Sequence, residues 1–251
     1  MRRGFTVGAA GLLEPLAGTE EVSDSPKPGM GISDLRLQTS KVNELESFYR
    51  DVIGMQTHRN SGNLIVEAGA TRITFEAVSD REPFYHMAFN IPENKLDMAR
   101  HWQKQRTDLI RRGKSEVIHF SHWNARSIFF RDPAGNLLEY IARHDIENAV
   151  GGEFSSADIL YASEIGLVVD DVAKIVAAAK KDLNLGIYRD NGANFASIGD
   201  EHALLVVVKR DRKWFPARER SAKVFPLSAT IRKPKARSLV MSEYSYRVST
   251  N

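Results

Sequence analysis

Arg131-Asp132-Pro133-Ala134-Gly135-Asn136-Leu137-Leu138-Glu139 reads as a tight reversal joining two β-strands. Proline presets φ early in the turn, and glycine or asparagine supplies the positive φ that closes it. The flanks agree, because 126–130 and 137–142 are rich in the apolar and aromatic residues that strands favour. Further upstream, 117–120 reads as another strand. Before it, Asn94 is placed to cap a helix that runs to about Arg112 and stops at Gly113. The strand-like run His86-Met87-Ala88-Phe89-Asn90-Ile91 precedes that helix. Together these elements make one βαβββ unit.

The same order occurs earlier in the chain. Residues 32–39 alternate, with Leu35, Leu37 and Thr39 on one face and Asp34, Arg36 and Gln38 on the other. Val42, Leu45, Phe48 and Val52 then recur at helical spacing, and Gly54 is a natural stop. Strands at 63–67 and 71–78 follow, joined at Ala68-Gly69-Ala70. A third unit begins near Tyr161. Its Ile165, Leu167 and Val172 repeat Leu35, Leu37 and Val42, a helix ends at Leu185-Gly186-Ile187, and strands fit 194–198 and 203–208. Beyond Arg210 only one more strand, 224–231, fits the pattern. The chain is therefore expected to be α+β. Two βαβββ modules should share one cleft over 30–146, with a partial third module over 158–231 and a tail over 232–251.

The bulk numbers exclude several classes. The 251 residues are 42% hydrophobic and 27% charged, with a net charge of +3, which makes no case for nucleic-acid or membrane binding. Charge is nevertheless uneven. Eleven Lys or Arg face two acids in 209–237, leaving the remainder at −6, so this segment reads as a solvated loop or an anion-attracting rim. The absence of cysteine rules out disulfides, thiolate metal sites and Cys nucleophiles. No apolar run approaches the roughly 20 residues that span a bilayer. Arg2-Arg3-Gly4-Phe5 with the small apolar residues after it resembles a twin-arginine export signal, but Glu14 and Pro15 interrupt it, and Met30 is an alternative start. Residues 1–29 are read as lying outside the fold, and a cytoplasmic location is expected, with export the alternative.

Strand alternation also selects the chemistry-bearing side chains. With Ile73 and Phe75 in the core, Glu76 takes the other face. With Met87, Phe89 and Ile91 in the core, His86 and Asn90 take the other face. Asp34 and Glu139 complete a set of four strands, each offering a nitrogen or carboxylate. If two modules curve into one sheet, Asp34, Glu76, His86 and Glu139 converge on a divalent ion. One imidazole with carboxylates suits Zn, Ni, Co, Mn or Fe. Each residue also has a plainer reading: single glutamates usually sit on solvated strands, a lone histidine is more often structural, and Asp34 could cap a turn. Arg36, Gln38 and Asn90 are candidate substrate contacts. His122 and Trp123 could line a pocket, or they could simply pack a loop.

Leu35-Arg36-Leu37-Gln38-Thr39, the run Phe48-Tyr49-Arg50-Asp51-Val52-Ile53-Gly54-Met55 and the 131–139 hairpin together resemble the vicinal-oxygen-chelate superfamily of glyoxalases, bleomycin-resistance proteins and extradiol dioxygenases. The resemblance covers about 32–210. It implies a metal held by Asp34, Glu76, His86 and Glu139, although the first place is usually His, Gln or Glu. In the third module Glu164 holds the first-strand place, Val206-Val207 replaces the fourth-strand acid and no closing turn follows, so a second metal site is not expected. The implied activity is a glyoxalase I-like lyase or isomerase in which Glu139 or Glu76 moves a proton on a small substrate with adjacent oxygens. The alternatives are a non-catalytic small-molecule-binding protein and a ring-cleaving dioxygenase. The unpaired third module points to a homodimer, or else to cover from Trp214, Phe215 and Phe225.

Overall fold

Burial on the first strand, β1 (Ile32–Thr39), follows its alternation: Leu35, Leu37 and Thr39 are buried and Arg36 is exposed. The computed structural model describes Met1, 31–216 and 219–251. Apart from Met1, the N-terminal segment 1–29 discussed above lies outside the described residues. Helix α1 (Val42–Ser47) widens into a π-helical turn at Phe48–Ile53 and ends on Gly54, whose φ of 82° suits a residue without Cβ. Three strands finish the module: β2 (Gln56–Asn60), β3 (Asn63–Ala68) and β4 (Thr71–Ala77). The hydropathy pattern does not predict β2. Its residues are polar and mostly exposed, and backbone pairing with β3 holds it in place.

The second module comprises β5 (His86–Ile91), α2 (Leu96–Lys104), β6 (Ile118–Phe120), β7 (Ala125–Arg131) and β8 (Leu137–Arg143). Helix α2 stops well short of Arg112. The Gln103 side chain donates to Thr107 Oγ1 at 2.7 Å, and the Ile110 N–H donates to the Phe129 carbonyl at 2.7 Å, drawing the chain toward the sheet. Asn94 does not cap α2 and instead donates to the Val150 carbonyl.

The third module has β9 (Tyr161–Val169), α3 (Val172–Ala178), β10 (Ile187–Gly192), β11 (Phe195–Asp200) and β12 (Ala203–Lys209). Asp171 caps α3 by accepting from the Lys174 N–H at 3.0 Å. The helix and its following turn end on Asn184, at φ 57°, ahead of the expected glycine.

The C-terminal residues correct the expected tail. They form β14 (Arg237–Met241) and β15 (Tyr246–Thr250), which join β13 (Leu227–Ile231) as a fourth module without a helix. Alternation buries Leu239, Met241, Tyr246 and Val248, but strands this short among basic residues give little sequence signal.

In every module the first and last strands lie side by side and parallel: β1 with β4, β5 with β8, β9 with β12, and β13 with β15. Between modules, β1 pairs antiparallel with β13, and β5 with β9. The first module therefore closes with the fourth and the second with the third, which overturns the expected shared cleft of the first two. The reason lies in β9. All nine of its residues are buried, so it needs a neighbour on each edge and cover on each face, and β5 and β12 supply the edges. Ile165, Leu167, Leu205 and Val207 are fully buried there, and each such side chain contributes roughly 1.5–3 kcal/mol. The two halves meet where Ile32 of β1 pairs with Ala162 of β9. The edge that motivated a dimer is thus closed within the chain.

Candidate metal centre

Register places three ionisable side chains over one small residue. Ala88 on β5 pairs with Glu139 on β8 to one side and with Glu164 on β9 to the other, while His86 lies two residues back on the same face of β5. His86 Nε2 is 3.6 Å from Glu139 Oε2 and 3.7 Å from Glu164 Oε2. One ligand atom from each of the three residues lies within 4.8 Å of the others, and all three residues are buried. Among the described residues this is the group able to hold a metal ion.

The second and third modules are related position by position. His86 pairs with Leu137 and Ala88 with Glu139; Glu164 pairs with Leu204 and Gly166 with Val206. His86 thus corresponds to Glu164, Ala88 to Gly166, and Glu139 to Val206. Three of these places carry ligand types, and Val206 leaves the fourth side apolar. The missing side chain at Gly166 makes room for an aromatic ring. A Cβ on Gly166 would lie 2.6 Å from the Trp214 ring, which closes over that position.

Electrostatics and hydrogen bonding fit a divalent cation. His86 Nδ1 lies 3.2 Å from the Leu137 carbonyl. A carbonyl only accepts, so Nδ1 donates to it, and Nε2 is the nitrogen turned toward the two carboxylates and placed to ligate an ion. Burial first, and then the Glu164 carboxylate, push the Glu139 carboxyl well above its usual range; Ser127 and Arg143 pull the other way. Arg143, two turns of the pleat along β8 from Glu139, is itself buried and donates through Nη2 to Glu164 Oε1. Its Nε donates to Asn90 Oδ1 at 3.2 Å, and Asn90 Nδ2 donates to the Tyr161 hydroxyl at 3.0 Å. Glu164 is therefore gripped on one oxygen and presents the other to His86.

The cup opens into a cavity of about 350 Å³ with six aromatic linings: Phe120, Trp123, Phe129, Phe195, Trp214 and Phe215. Arg112, Arg212, His119 and a His122–Asp190 pair also line it. His122 Nε2 is 3.0 Å from Asp190 Oδ2, which also accepts from Trp123 Nε1 at 2.5 Å. Of the basic segment, Arg212 reaches this cavity. Lys233 pairs with Asp200, and Arg210 with Asp170.

The structure brings His86 and Glu139 together and sets His122 and Trp123 on the same cavity wall. Asn90 lies below the cup, bonded to Arg143 and Tyr161. Asp34, Glu76, Arg36 and Gln38 belong to the other half of the sheet, so the four-ligand set is divided. There Arg36 occupies the level of the open floor, 3.9 Å from Asp34 and 3.5 Å from Glu76, and all three are substantially exposed. Arg36 sits between those acids, and no imidazole joins them. Glu164 takes the place that was given to Asp34 and Glu76. Its signal is the 130-residue repeat that equates it with Asp34, hidden by the assumption that the first module pairs with the second.

Neither a protein-family description nor a curated protein sequence matches this chain. Solved structures do. A provisionally named dioxygenase from Bacillus subtilis aligns over 88% of this chain and 85% of its own at 14% identity, with a TM-score of 0.55. Glyoxalase I from Zea mays aligns over 88% and 91% at 13% identity, with a TM-score of 0.53. The chain has the vicinal-oxygen-chelate fold. Within that fold, its defining feature is a buried His/Glu/Glu group between the second and third modules.

Proposed function

We propose that this protein is a metal-dependent enzyme acting on a small substrate with adjacent oxygens, in the manner of a glyoxalase I-like lyase or isomerase. The observation that carries the reading is the buried His86, Glu139 and Glu164 group at the base of an aromatic cavity. His86, Glu139 and Glu164 would hold a divalent ion there, and it would supply Lewis acidity. The chain's own residues divide the remaining work. Arg143 fixes one oxygen of Glu164, which suits Glu164 to holding rather than moving a proton. Glu139 has no such clamp, so it is the group suited to take a proton from one carbon and return it to the next.

A ring-cleaving dioxygenase is the second reading, favoured by the count of three ligands and the apolar fourth side at Val206. One imidazole and two carboxylates is not the two-histidine set that such enzymes use.

Metal analysis of protein purified without added metal, followed by assays with methylglyoxal plus thiols and with catechols plus oxygen, tests both readings. One divalent ion per chain, removed with the activity by chelator and lost from Glu139→Gln and His86→Ala, is the expected result. Unchanged metal content in both variants would sink the site. Oxygen uptake with catechols would move the protein to the second reading.

A further inference from the structure

Glu164 stands at one end of a chain of polar side chains that leaves the cup and reaches the surface. Arg143 Nη2 donates to Glu164, and Arg143 Nε donates to Asn90 Oδ1 at 3.2 Å. Asn90 Nδ2 donates to the Tyr161 hydroxyl at 3.0 Å, and that hydroxyl lies 2.9 Å from His202 Nδ1. Glu164, Arg143, Asn90 and Tyr161 are buried, on β9, β8 and β5, whereas His202 is partly exposed between β11 and β12. Arg143 Nη1 has no acceptor, so Glu164 and Asn90 hold the guanidinium, with the Trp123 ring 5.4 Å away. The Tyr161 ring takes a place that a Cβ on Gly31 would approach to 2.5 Å. At the outer end, Asp200 Oδ1 accepts from the His202 and Ala203 N–H groups, each at 3.1 Å, and Lys233 pairs with Asp200 Oδ2. Apolar side chains of similar volume often replace buried charged networks at no loss of stability, so packing does not account for the chain.

We infer that Asn90, Tyr161 and His202 are positioning residues for Glu164, and that through them His202 governs from the surface how tightly the site holds its ion; the inference rests on the metal reading above. The direction of the hydrogen bonds says how. Asn90 accepts from Arg143 through Oδ1, so Nδ2 is its donor to the Tyr161 oxygen, and the Tyr161 hydrogen goes to His202 Nδ1. Only a neutral His202 offers a lone pair there. Burial holds the His202 ring below the usual histidine range; Asp200 and Glu201 pull it up, and Lys233 and Arg143 push it down. A proton on Nδ1 makes that nitrogen a second donor facing Tyr161. The hydroxyl hydrogen then has no acceptor in a buried place, and the hydroxyl must turn away. Asn90 and Arg143 lose their fixed places, and Glu164 no longer presents a fixed oxygen beside His86.

Co(II) affinity, read by competition with a coloured chelator, is the first measurement. Tyr161→Phe keeps the ring and deletes the hydroxyl. It should bind Co(II) about fivefold more weakly, less than the roughly tenfold or more lost with a ligand's direct partner. His202→Leu should lose as much, and the double variant no more than either single change, because both break one chain. His202→Gln, whose amide can still accept from Tyr161, should stay within about twofold of the wild type. Unchanged affinity in Tyr161→Phe, or losses that multiply in the double variant, overturns the inference. Wild-type protein that takes up no Co(II) overturns the metal reading, and the inference with it. If a His202 variant does not fold, the proton resonances of the wild-type His202 ring decide, followed with and without Zn(II). Linkage requires that an ion favouring neutral His202 lower the pH at which that ring titrates. The drop should be larger in the wild type than in Tyr161→Phe, which feels the same ionic charge but lacks the chain. Equal drops overturn the inference.

Discussion

Glu139 shows how far a single residue's chemistry was visible in the sequence. Its place on the closing strand after a DPxGN-type turn marks it as a ligand candidate, and alternation alone puts His86 on a non-core face. Glu164 carried equal information, because the repeat equates it with the first-strand ligand position, but its partner strand was not deducible. Register across modules depends on which strands meet, and no local pattern encodes that. The same dependence removed Asp34 and Glu76, whose strands face a different partner. At Glu139 the structure makes a two-sided prediction. Its folded-state pKa is raised, so the stability it contributes without metal is present below about pH 4.5 and is lost as pH rises toward the folded value. Glu139→Gln has no charge to bury. In excess chelator at pH 8 it should melt at a higher temperature than the wild type, while failing to bind Co(II) stoichiometrically. An equal or lower melting temperature would show that the buried carboxylate is not under strain.

At the scale of elements, the 131–139 hairpin was the most legible part of the chain, and the structure shows what its residues do. Asp132 Oδ1 accepts from the Ala134 and Asn136 N–H groups, each at 3.0 Å, and Oδ2 accepts from the Asn136 side chain at 2.7 Å. The Tyr49 hydroxyl donates to Oδ2 at 3.1 Å, tying the turn to the end of the first module's helix. Burial still outweighs these donors and pushes the Asp132 carboxyl up to about 6. For an acid with a raised folded-state value, the unfolded chain loses its proton first as pH rises. Asp132 therefore destabilises the fold progressively between its ordinary value of 3.8 and about 6, by about 3 kcal/mol in all. Other carboxylates titrate nearby; Glu116, surrounded by Lys104, Arg111 and Arg100, is lowered to about 2. Asp132→Asn isolates the effect. Urea unfolding of both proteins across this range should show the wild type losing ground to the variant as pH rises. Parallel pH profiles would mean that Asp132 ionises normally. Helix ends were less legible, as at α2, because a hydrogen bond to a distant strand ended the helix where propensity would have continued it.

The whole molecule turns on which modules pair. Three βαβββ patterns were readable, but the fourth was reduced to three five-residue strands, so the sequence suggested an unpaired third module and an intermolecular solution. With β13–β15 in place the requirement disappears, because β13 covers the edge of β1 and the third module closes on the second. The arrangement leaves the two halves unequal. The half formed by the second and third modules keeps a small floor at Ala88 and Gly166 and holds the ligands, whereas the other fills that level with Arg36. The C-terminal strands therefore serve the site indirectly, by completing the half on which the ligand-bearing half rests. Removing residues 227–251 tests this. The truncated chain would expose the β1 edge along Asp34–Arg36 and uncover apolar side chains that Leu227, Ala229, Ile231 and Val248 now bury. Sedimentation should show it dimerised or aggregated at concentrations where the full chain shows one species of constant mass. His86, Glu139 and Glu164 all lie outside the deleted segment, so any soluble fraction should still take up Co(II). A truncated chain that stays monomeric and melts like the full one would mean that the fourth module is dispensable and that β1 tolerates an open edge.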